Sequence, residues 1–123
     1  MTTHDSKATE SQEQRALFQW ATLRSGRYPE LALLHHIPNG GSRGKIEAAR
    51  FKAEGVKAGV PDIFLPVPRG EHHGLYIELK RRHGSRISQA QAWWMEHLLG
   101  QGYCVAVCHG WEEAARVIED YLR

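Results

Sequence analysis

The chain has 123 residues, of which 41% are hydrophobic and 24% are charged. This length and composition predict one domain with one hydrophobic core, and they exclude a wholly disordered chain. No apolar run approaches the roughly 20 residues that a membrane-spanning helix needs. The first residues also lack the apolar segment of a secretory signal, so we expect a cytosolic protein.

The formal net charge of +2 hides an uneven distribution, because residues 43–86 sum to +5, residues 1–42 to zero and residues 87–123 to −3. A basic centre favours a polyanionic partner, and a solvated basic surface is the alternative interpretation. Two cysteines, Cys104 and Cys108, lie in one apolar run. We expect them to be buried, unpaired thiols in a reducing compartment.

The predicted elements begin after a polar stretch, residues 1–8, that we expect to be disordered. Thr9 with Gln12, or Ser11 with Gln14, can form a capping box, which predicts a helix that ends before Gly26. An apolar run then predicts a strand over residues 31–37. A basic segment with apolar residues at helical spacing predicts a second helix over residues 42–54.

The second half of the chain contains two hairpin strands, a capped helix, a further strand and a last helix, predicted over residues 61–67, 75–80, 88–100, 103–108 and 111–122. Ser88 with Gln91 three positions later forms the capping-box pattern of the third helix. The element order α-β-α-β-β-α-β-α predicts a small mixed α/β domain, with a mixed sheet flanked by helices.

Charged residues interrupt the two predicted hairpin strands. Asp62 opens the first strand, and Glu78 and Lys80 share one face of the second. A buried carboxylate is costly unless it is paired or metal-bound, and antiparallel pairing can bring Asp62 near Glu78. Two carboxylates suit Mg²⁺ or Mn²⁺, with the carbonyl of Leu79 as a further ligand and Lys80 beside a water or phosphate. The alternative is an ion pair on a half-exposed strand.

These motifs together resemble a known nuclease family. The Pro-Asp of residues 61–62 and the Glu-Leu-Lys of residues 78–80 match the signature of PD-(D/E)XK nucleases. Five stretches are similar to the VRR-NUC domain: residues 39–41, 59–64, 76–80, 87–94 and 102–107. The resemblance covers about residues 9–110 and is strongest to the stand-alone phage and bacterial members. It implies a restriction-endonuclease-like αβββαβ core, with a VRR-NUC nuclease domain over residues 9–123.

The resemblance also implies a divalent-metal-dependent endonuclease that hydrolyses phosphodiester bonds in DNA. The catalytic residues that it implies are Asp62, Glu78, Lys80, Glu10 and Gln91, and the implied ligands of Mg²⁺ or Mn²⁺ are Asp62, Glu78, Leu79 and Glu10. Glu13 competes with Glu10 for the position of the first-helix glutamate, and the sequence leaves both open. Gln91 matches the glutamine of the third-helix motif, which would lie near the metal.

Stand-alone members of the family resemble nucleases that act as homodimers on four-way (Holliday) junctions, whereas long eukaryotic members process flaps. A branched DNA substrate and a homodimer in the bacterial or phage-infected host cytosol are therefore expected. Basic residues flank the expected site and would grip phosphates, or form a solubilising surface: Arg43, Lys45, Arg50, Lys52, Lys57, Arg81, Arg82 and Arg86. The alternatives are a flap or other branched-DNA nuclease, a sequence-preferring nuclease, or a non-catalytic binding module of the same fold.

Three further features remain open at the level of sequence. Residues 39–41 could approach a phosphate through backbone N–H groups or form a plain turn. The histidines lack zinc-ligand spacing, although His36 or His83 could lie near the site. Trp93 and Trp94 cannot share one helix face, so one is expected in the core and the other at a dimer interface or against DNA.

Overall fold

The computed structural model describes residues 8–38 and 44–123. The expected disorder of the N-terminal tail, the possible phosphate contact of residues 39–41 and the expected DNA contact of Arg43 fall largely or wholly outside these ranges. No helix of the described residues is long and apolar enough to cross a membrane.

The first helix, α1 (Glu10–Arg24), begins at a capping box. Thr9 Oγ1 accepts from the backbone N–H of Gln12 at 3.1 Å, and Gln12 Oε1 accepts from that of Thr9 at 2.8 Å. These bonds satisfy two of the backbone donors that a helix start leaves unpaired. The predicted pairing of Thr9 with Gln12 is therefore confirmed.

Four strands form one sheet in the spatial order β1-β2-β3-β4: β1 (His35–His36), β2 (Ile63–Leu65), β3 (Leu75–Lys80) and β4 (Cys104–His109). β1 and β2 pair antiparallel, as do β2 and β3, whereas β3 and β4 are parallel. Three further α-helices lie in the described part of the chain: α2 (Lys45–Ala53), α3 (Gln89–Gly100) and α4 (Trp111–Leu122). The predicted mixed α/β fold and element order are confirmed.

The two faces of this sheet have different cover. Side chains of alternate residues on β2 and β3, including Ile63 and Ile77, lie fully buried against Leu17 of α1 and Ile118 of α4. We call this side the packed face. The other side, which we call the site face, holds Glu78 and is covered in part by α3, which contacts β4.

The predicted strand over residues 31–37 is wrong for most of its length. A 3₁₀ helix, Pro29–Leu33, occupies its first part, and only His35 and His36 pair as β1. Pro29 fixes φ near the helical value at the start of this turn. Leu31 and Leu34, three residues apart, both face the core, whereas a strand would bury alternate residues. A short apolar run does not distinguish these two patterns.

The second helix confirms the predicted helix within residues 42–54, but it contributes nothing to the core. No residue of α2 is buried, and Ile46 is 90% exposed. The element makes no extensive contact with another helix or strand of the described residues. Its basic side chains therefore lie on a projecting helix rather than on the body of the domain.

Candidate active site

Strand register places the two acidic residues of the hairpin opposite each other. Ile63 and Ile77 form the last pair of the antiparallel ladder, so continuing its register by one step brings Asp62 opposite Glu78. Asp62 precedes β2, and its Oδ2 atom accepts a hydrogen bond of 2.9 Å from the backbone N–H of Leu79. This bond fixes the Asp62 carboxylate against β3, beside that of Glu78.

The charged residues of β3 are buried. Glu78 is 1% exposed and Lys80 is 6% exposed, with Lys80 Nζ lying 3.5 Å from Glu78 Oε2. An ion pair on a half-exposed strand, the alternative interpretation of this motif, would leave both side chains in water. Burial of a charged pair gains stability only when geometry and further hydrogen bonds compensate the lost hydration.

Gln91 on α3 provides that compensation. Its Nε2 donates to Glu78 Oε2 at 2.9 Å, and its Oε1 accepts from Lys80 Nζ at 3.0 Å. The same Oε1 accepts from the backbone N–H of Ser88 at 2.9 Å, which closes the capping box of α3. One side chain therefore caps a helix and holds both charged residues of β3.

Burial and mutual repulsion disturb the two carboxyl groups. Burial, followed by the charge of Asp62, raises the pKa of Glu78 to about 8, against a smaller lowering by Lys80. Burial also raises the pKa of Asp62, although the Leu79 N–H bond and hydrogen bonding to Glu78 lower it in part. Two like charges held together in a desolvated place bind a proton or a cation strongly.

The donor set fits a divalent cation. Glu78 Oε1 is buried and has no hydrogen-bond partner among the described residues, although it belongs to a carboxylate that faces Asp62. No group of three His, Cys, Asp or Glu side chains within those residues is arranged around one point. Mg²⁺ commonly binds through one or two carboxylates and takes its other ligands from water and substrate phosphate. The pair therefore matches that mode of binding.

A cleft of about 300 Å³ opens beside Asp62. It is lined by Glu10, Ser11, Gln14, His36, Asp62 and Leu79. His36 Nδ1 lies 2.9 Å from the backbone oxygen of Asp62, which holds the imidazole at the cleft wall. The structure therefore brings Glu10, Asp62 and Leu79, three of the expected metal ligands, to one opening.

Glu13 lies elsewhere and has different partners. Its side chain is 0% exposed, its Oε1 accepts from the backbone N–H of Trp111 at 2.9 Å, and its Oε2 lies 3.5 Å from Arg82 Nε. Glu13 thus joins α1 to the start of α4. Of the two glutamates that the sequence left open, Glu10 is the one that lines the cleft.

Comparison with known proteins agrees with this geometry. The sequence matches the family model of the VRR-NUC domain over residues 6–112. The chain belongs to the VRR-NUC family. A solved structure described as a VRR_NUC domain protein is 35% identical, with a TM-score of 0.79, over 94% of this chain and 88% of the other. No curated protein matches the chain. The predicted membership and the nuclease-type fold are confirmed.

The VRR-NUC domain exposes most of its expected phosphate contacts. Six of them lie at the surface: Lys45, Arg50, Lys52, Lys57, Arg81 and Arg86. Arg82 is different, because its guanidinium pairs with Glu112 and lies 3.5 Å from Glu13. These carboxylates hold Arg82 within the protein, so we leave it out of the phosphate-contacting set proposed below.

A close backbone approach holds α3 of the VRR-NUC domain beside the carboxylates. Gly59 has a φ of +96°, and a Cβ atom there would lie 2.7 Å from the carbonyl carbon of Ala90 in the first turn of α3. Only glycine fits this contact without displacement of one backbone. The approach keeps the segment before Asp62 against the helix turn that carries Gln91.

Two features of the site escaped the sequence interpretation. The shared role of Gln91 is one, since a capping-box glutamine carries no sign that its side chain also reaches a neighbouring strand. A group of aromatic side chains beside the carboxylates is the other, and its members come from β2, from β3 and from the residue just before β4. Alternation along β3 already places Tyr76 on the face of Glu78, and the same rule along β2 would have placed Phe64 with Asp62.

Proposed function

We propose that this VRR-NUC domain is a divalent-metal-dependent DNA endonuclease that cuts branched DNA, four-way junctions above all, as a homodimer. The observation that carries the proposal is the buried carboxylate pair of Asp62 and Glu78, with one unsatisfied oxygen, beside the amine of Lys80. If Glu78 and Lys80 formed only a structural ion pair, the second carboxylate, that of Asp62, would add repulsion without any gain in stability.

The site residues divide the chemistry of phosphodiester hydrolysis among them. Asp62 and Glu78 would hold Mg²⁺ or Mn²⁺, with Glu10 and the carbonyl of Leu79 at the cleft as further oxygen ligands. When bound, such a cation lowers the pKa of a water and offsets negative charge on a phosphate. Lys80 then donates to the phosphoryl oxygens as their charge increases, or orients the attacking water.

Gln91 keeps the amine of Lys80 in place. The hydrogen bonds of Gln91 to Lys80 and Glu78 restrict both side chains before substrate arrives. A charge-stabilising group that is already oriented costs no reorganisation when the reaction occurs. We therefore assign Gln91 as a positioning residue.

Binding to DNA would use the exposed basic side chains of α2 and of the segment after β3. Phosphate contacts of this kind carry no sequence information, and their affinity falls steeply as salt concentration rises. A twofold-symmetric dimer would present two such sites to two strands of one junction.

The test is cleavage of labelled four-way-junction, flap and plain duplex DNA in Mg²⁺, Mn²⁺ or EDTA. The matched control is Asp62→Asn, which retains an oxygen to accept from the Leu79 N–H. We expect metal-dependent paired cuts in the junction by the wild type and none by the variant. Cleavage of the flap substrate alone would support the nuclease activity and change the proposed substrate. Tight binding without cleavage in either metal, or an active Asp62→Asn protein, would refute the proposed activity.

Two solution measurements test the remaining parts. Thermal unfolding with and without Mn²⁺ should show a rise of the midpoint for the wild type and none for Asp62→Asn, because a ligand that binds only the folded state stabilises it. Light scattering should give the mass of two chains. A monomer at the concentration of the cleavage assay would contradict the dimer.

A further inference from the structure

An aromatic cluster lies on the site face of the sheet, and its members are Phe64, Tyr76 and Tyr103. Phe64 and Tyr76 are stacked, with ring centroids 4.2 Å apart and planes 19° from parallel. Tyr103 meets both rings edge-on, at centroid distances of 5.9 Å and 5.2 Å. All three residues are half-buried, and the rings of His35 and His73 meet those of Phe64 and Tyr103 edge-on, at 5.7 Å and 5.8 Å.

Strand register places this aromatic cluster next to the carboxylates. Phe64 pairs with Tyr76 in the ladder between β2 and β3, and the register of this ladder, continued one step past Ile63 and Ile77, brings Asp62 opposite Glu78. Residues two apart on a strand lie on the same face, at roughly 7 Å. The cluster therefore begins about one nucleotide's length from the place where the scissile phosphate would bind.

The aromatic cluster is also available for contact. α1 and α4 cover the opposite face of the sheet, and α3 contacts the site face along β4. Neither tyrosine hydroxyl has a hydrogen-bond partner in the described part of the chain, whereas that of Tyr121 donates to the backbone oxygen of Val67 at 2.6 Å. A half-buried aromatic surface that carries hydroxyl groups suits a ligand that is both flat and polar at its edges.

We propose that the aromatic cluster contacts the nucleotide adjoining the scissile phosphate and selects DNA in which the base of that nucleotide is unstacked, as at a branch point. The inference rests on the nuclease function proposed above and specifies its substrate. Bases in a duplex are covered by their stacked neighbours, so an aromatic surface outside the helix gains little from them. An unstacked base offers its whole ring face, and aromatic contact with such a base is tolerant of sequence.

Phe64 and Tyr76 would have separable roles. The ring of Phe64 provides apolar contact alone, while Tyr76 adds a hydroxyl that can donate to a sugar or phosphate oxygen. Phe64→Leu therefore removes the aromatic surface and retains most of the volume. Tyr76→Phe removes one hydroxyl and changes nothing else in shape.

The first experiment measures binding of single-stranded and duplex oligonucleotides by fluorescence anisotropy in Ca²⁺, so that it does not depend on cleavage. We expect Phe64→Leu to weaken binding of the single strand about tenfold and to change duplex binding less than twofold. Tyr76→Phe should act in the same direction with a smaller change. The matched control is Tyr121→Phe, which removes a hydroxyl remote from the site and should leave both affinities unchanged.

Two controls separate the aromatic contact from damage to the fold. Each variant should retain the Mn²⁺-dependent rise of the unfolding midpoint, which reports an intact carboxylate pair. Cleavage of a junction with an abasic residue beside the scissile phosphate should show a raised KM for the wild type and no further rise for Phe64→Leu. Equal losses for single-stranded and duplex DNA, or no loss for either, would overturn the inference. If the variants discriminate between single-stranded and duplex DNA but the wild type cleaves no substrate, the proposed nuclease activity is refuted and the aromatic contact with DNA is supported.

Discussion

β3 buries both of its faces, but against opposite chemistry. Leu75, Ile77 and Leu79 pack into the apolar core with at most 1% exposure. Glu78 and Lys80 alternate with these residues along β3 and lie on the site face. They are almost as buried, with exposures of 1% and 6%. The packed face gains stability from each buried side chain, whereas the site face loses hydration that its partners replace only in part. The comparison shows a domain that places its least stable contacts where binding would complete them.

Removal of packing should have the largest effect on stability. Ile77→Ala deletes a fully buried side chain beneath α1 and α4. We expect the free energy of unfolding to fall by about 2–5 kcal/mol, because the change combines lost burial with a cavity. Urea unfolding followed by circular dichroism measures it. A fall in the free energy of unfolding of less than about 2 kcal/mol would mean that the packed face closes around the cavity.

The two glutamates of α1 should separate stability from activity. Glu13→Gln weakens the buried contact to Arg82, at a cost of roughly 1–3 kcal/mol. Its matched control is Glu10→Gln, an exposed change that should leave urea unfolding unaltered and reduce cleavage. The opposite result, with Glu13→Gln stable and inactive, would exchange the two assignments.

Glu78→Gln should act in the opposite direction to Ile77→Ala, although the two positions are adjacent. The amide retains an acceptor for Gln91 and removes the repulsion with Asp62. In EDTA we expect the variant to be about 1–2 kcal/mol more stable than the wild type at pH 8. It should also lose the stabilisation by Mn²⁺.

The same substitution should show a defined pH dependence. The pKa of Glu78 rises from an ordinary 4.5 to about 8 in the folded chain, so the folded state retains a proton that the unfolded state has lost. Stability of the metal-free wild type therefore falls as pH rises through this window. The advantage of Glu78→Gln should be small at pH 5 and largest at pH 8. If Glu78→Gln were more stable than the wild type by the same amount at every pH, the repulsion between Asp62 and Glu78 would not be the cause.

The smallest expected effect concerns the start of α3. Ser88→Ala removes the hydroxyl that accepts from the backbone N–H of Gln91 and should cost about 1 kcal/mol. Cleavage should change less than twofold, because Gln91 still contacts Lys80 and Glu78. Gln91→Leu should lower the free energy of unfolding by a similar amount to Ser88→Ala. Unlike Ser88→Ala, it should also lower kcat, with a smaller change in KM. Equal activity of the two variants would show that Gln91 serves the helix alone.

Several parts of this structure follow from local patterns. The capping boxes at Thr9 and Ser88 depend on residues three apart, and both form as the sequence indicates. Alternation within β3 indicates that Glu78 and Lys80 share a face. The predicted strand over residues 31–37 failed because a short apolar run is compatible with either a strand or a 3₁₀ turn. The turn forms here because Leu31 and Leu34 both reach the core.

Residue types and local spacing were enough to identify the family, the mixed α/β fold and the acidic and basic residues of the candidate site. Those features depend on residue identity and on spacing within single elements. The contacts between elements place Glu10 rather than Glu13 at the cleft, Arg82 beside Glu112 and Glu13, and Gln91 on Lys80. Each of these depends on distances between elements far apart in the chain, because burial and partners, rather than residue type, determine what a charged side chain can do.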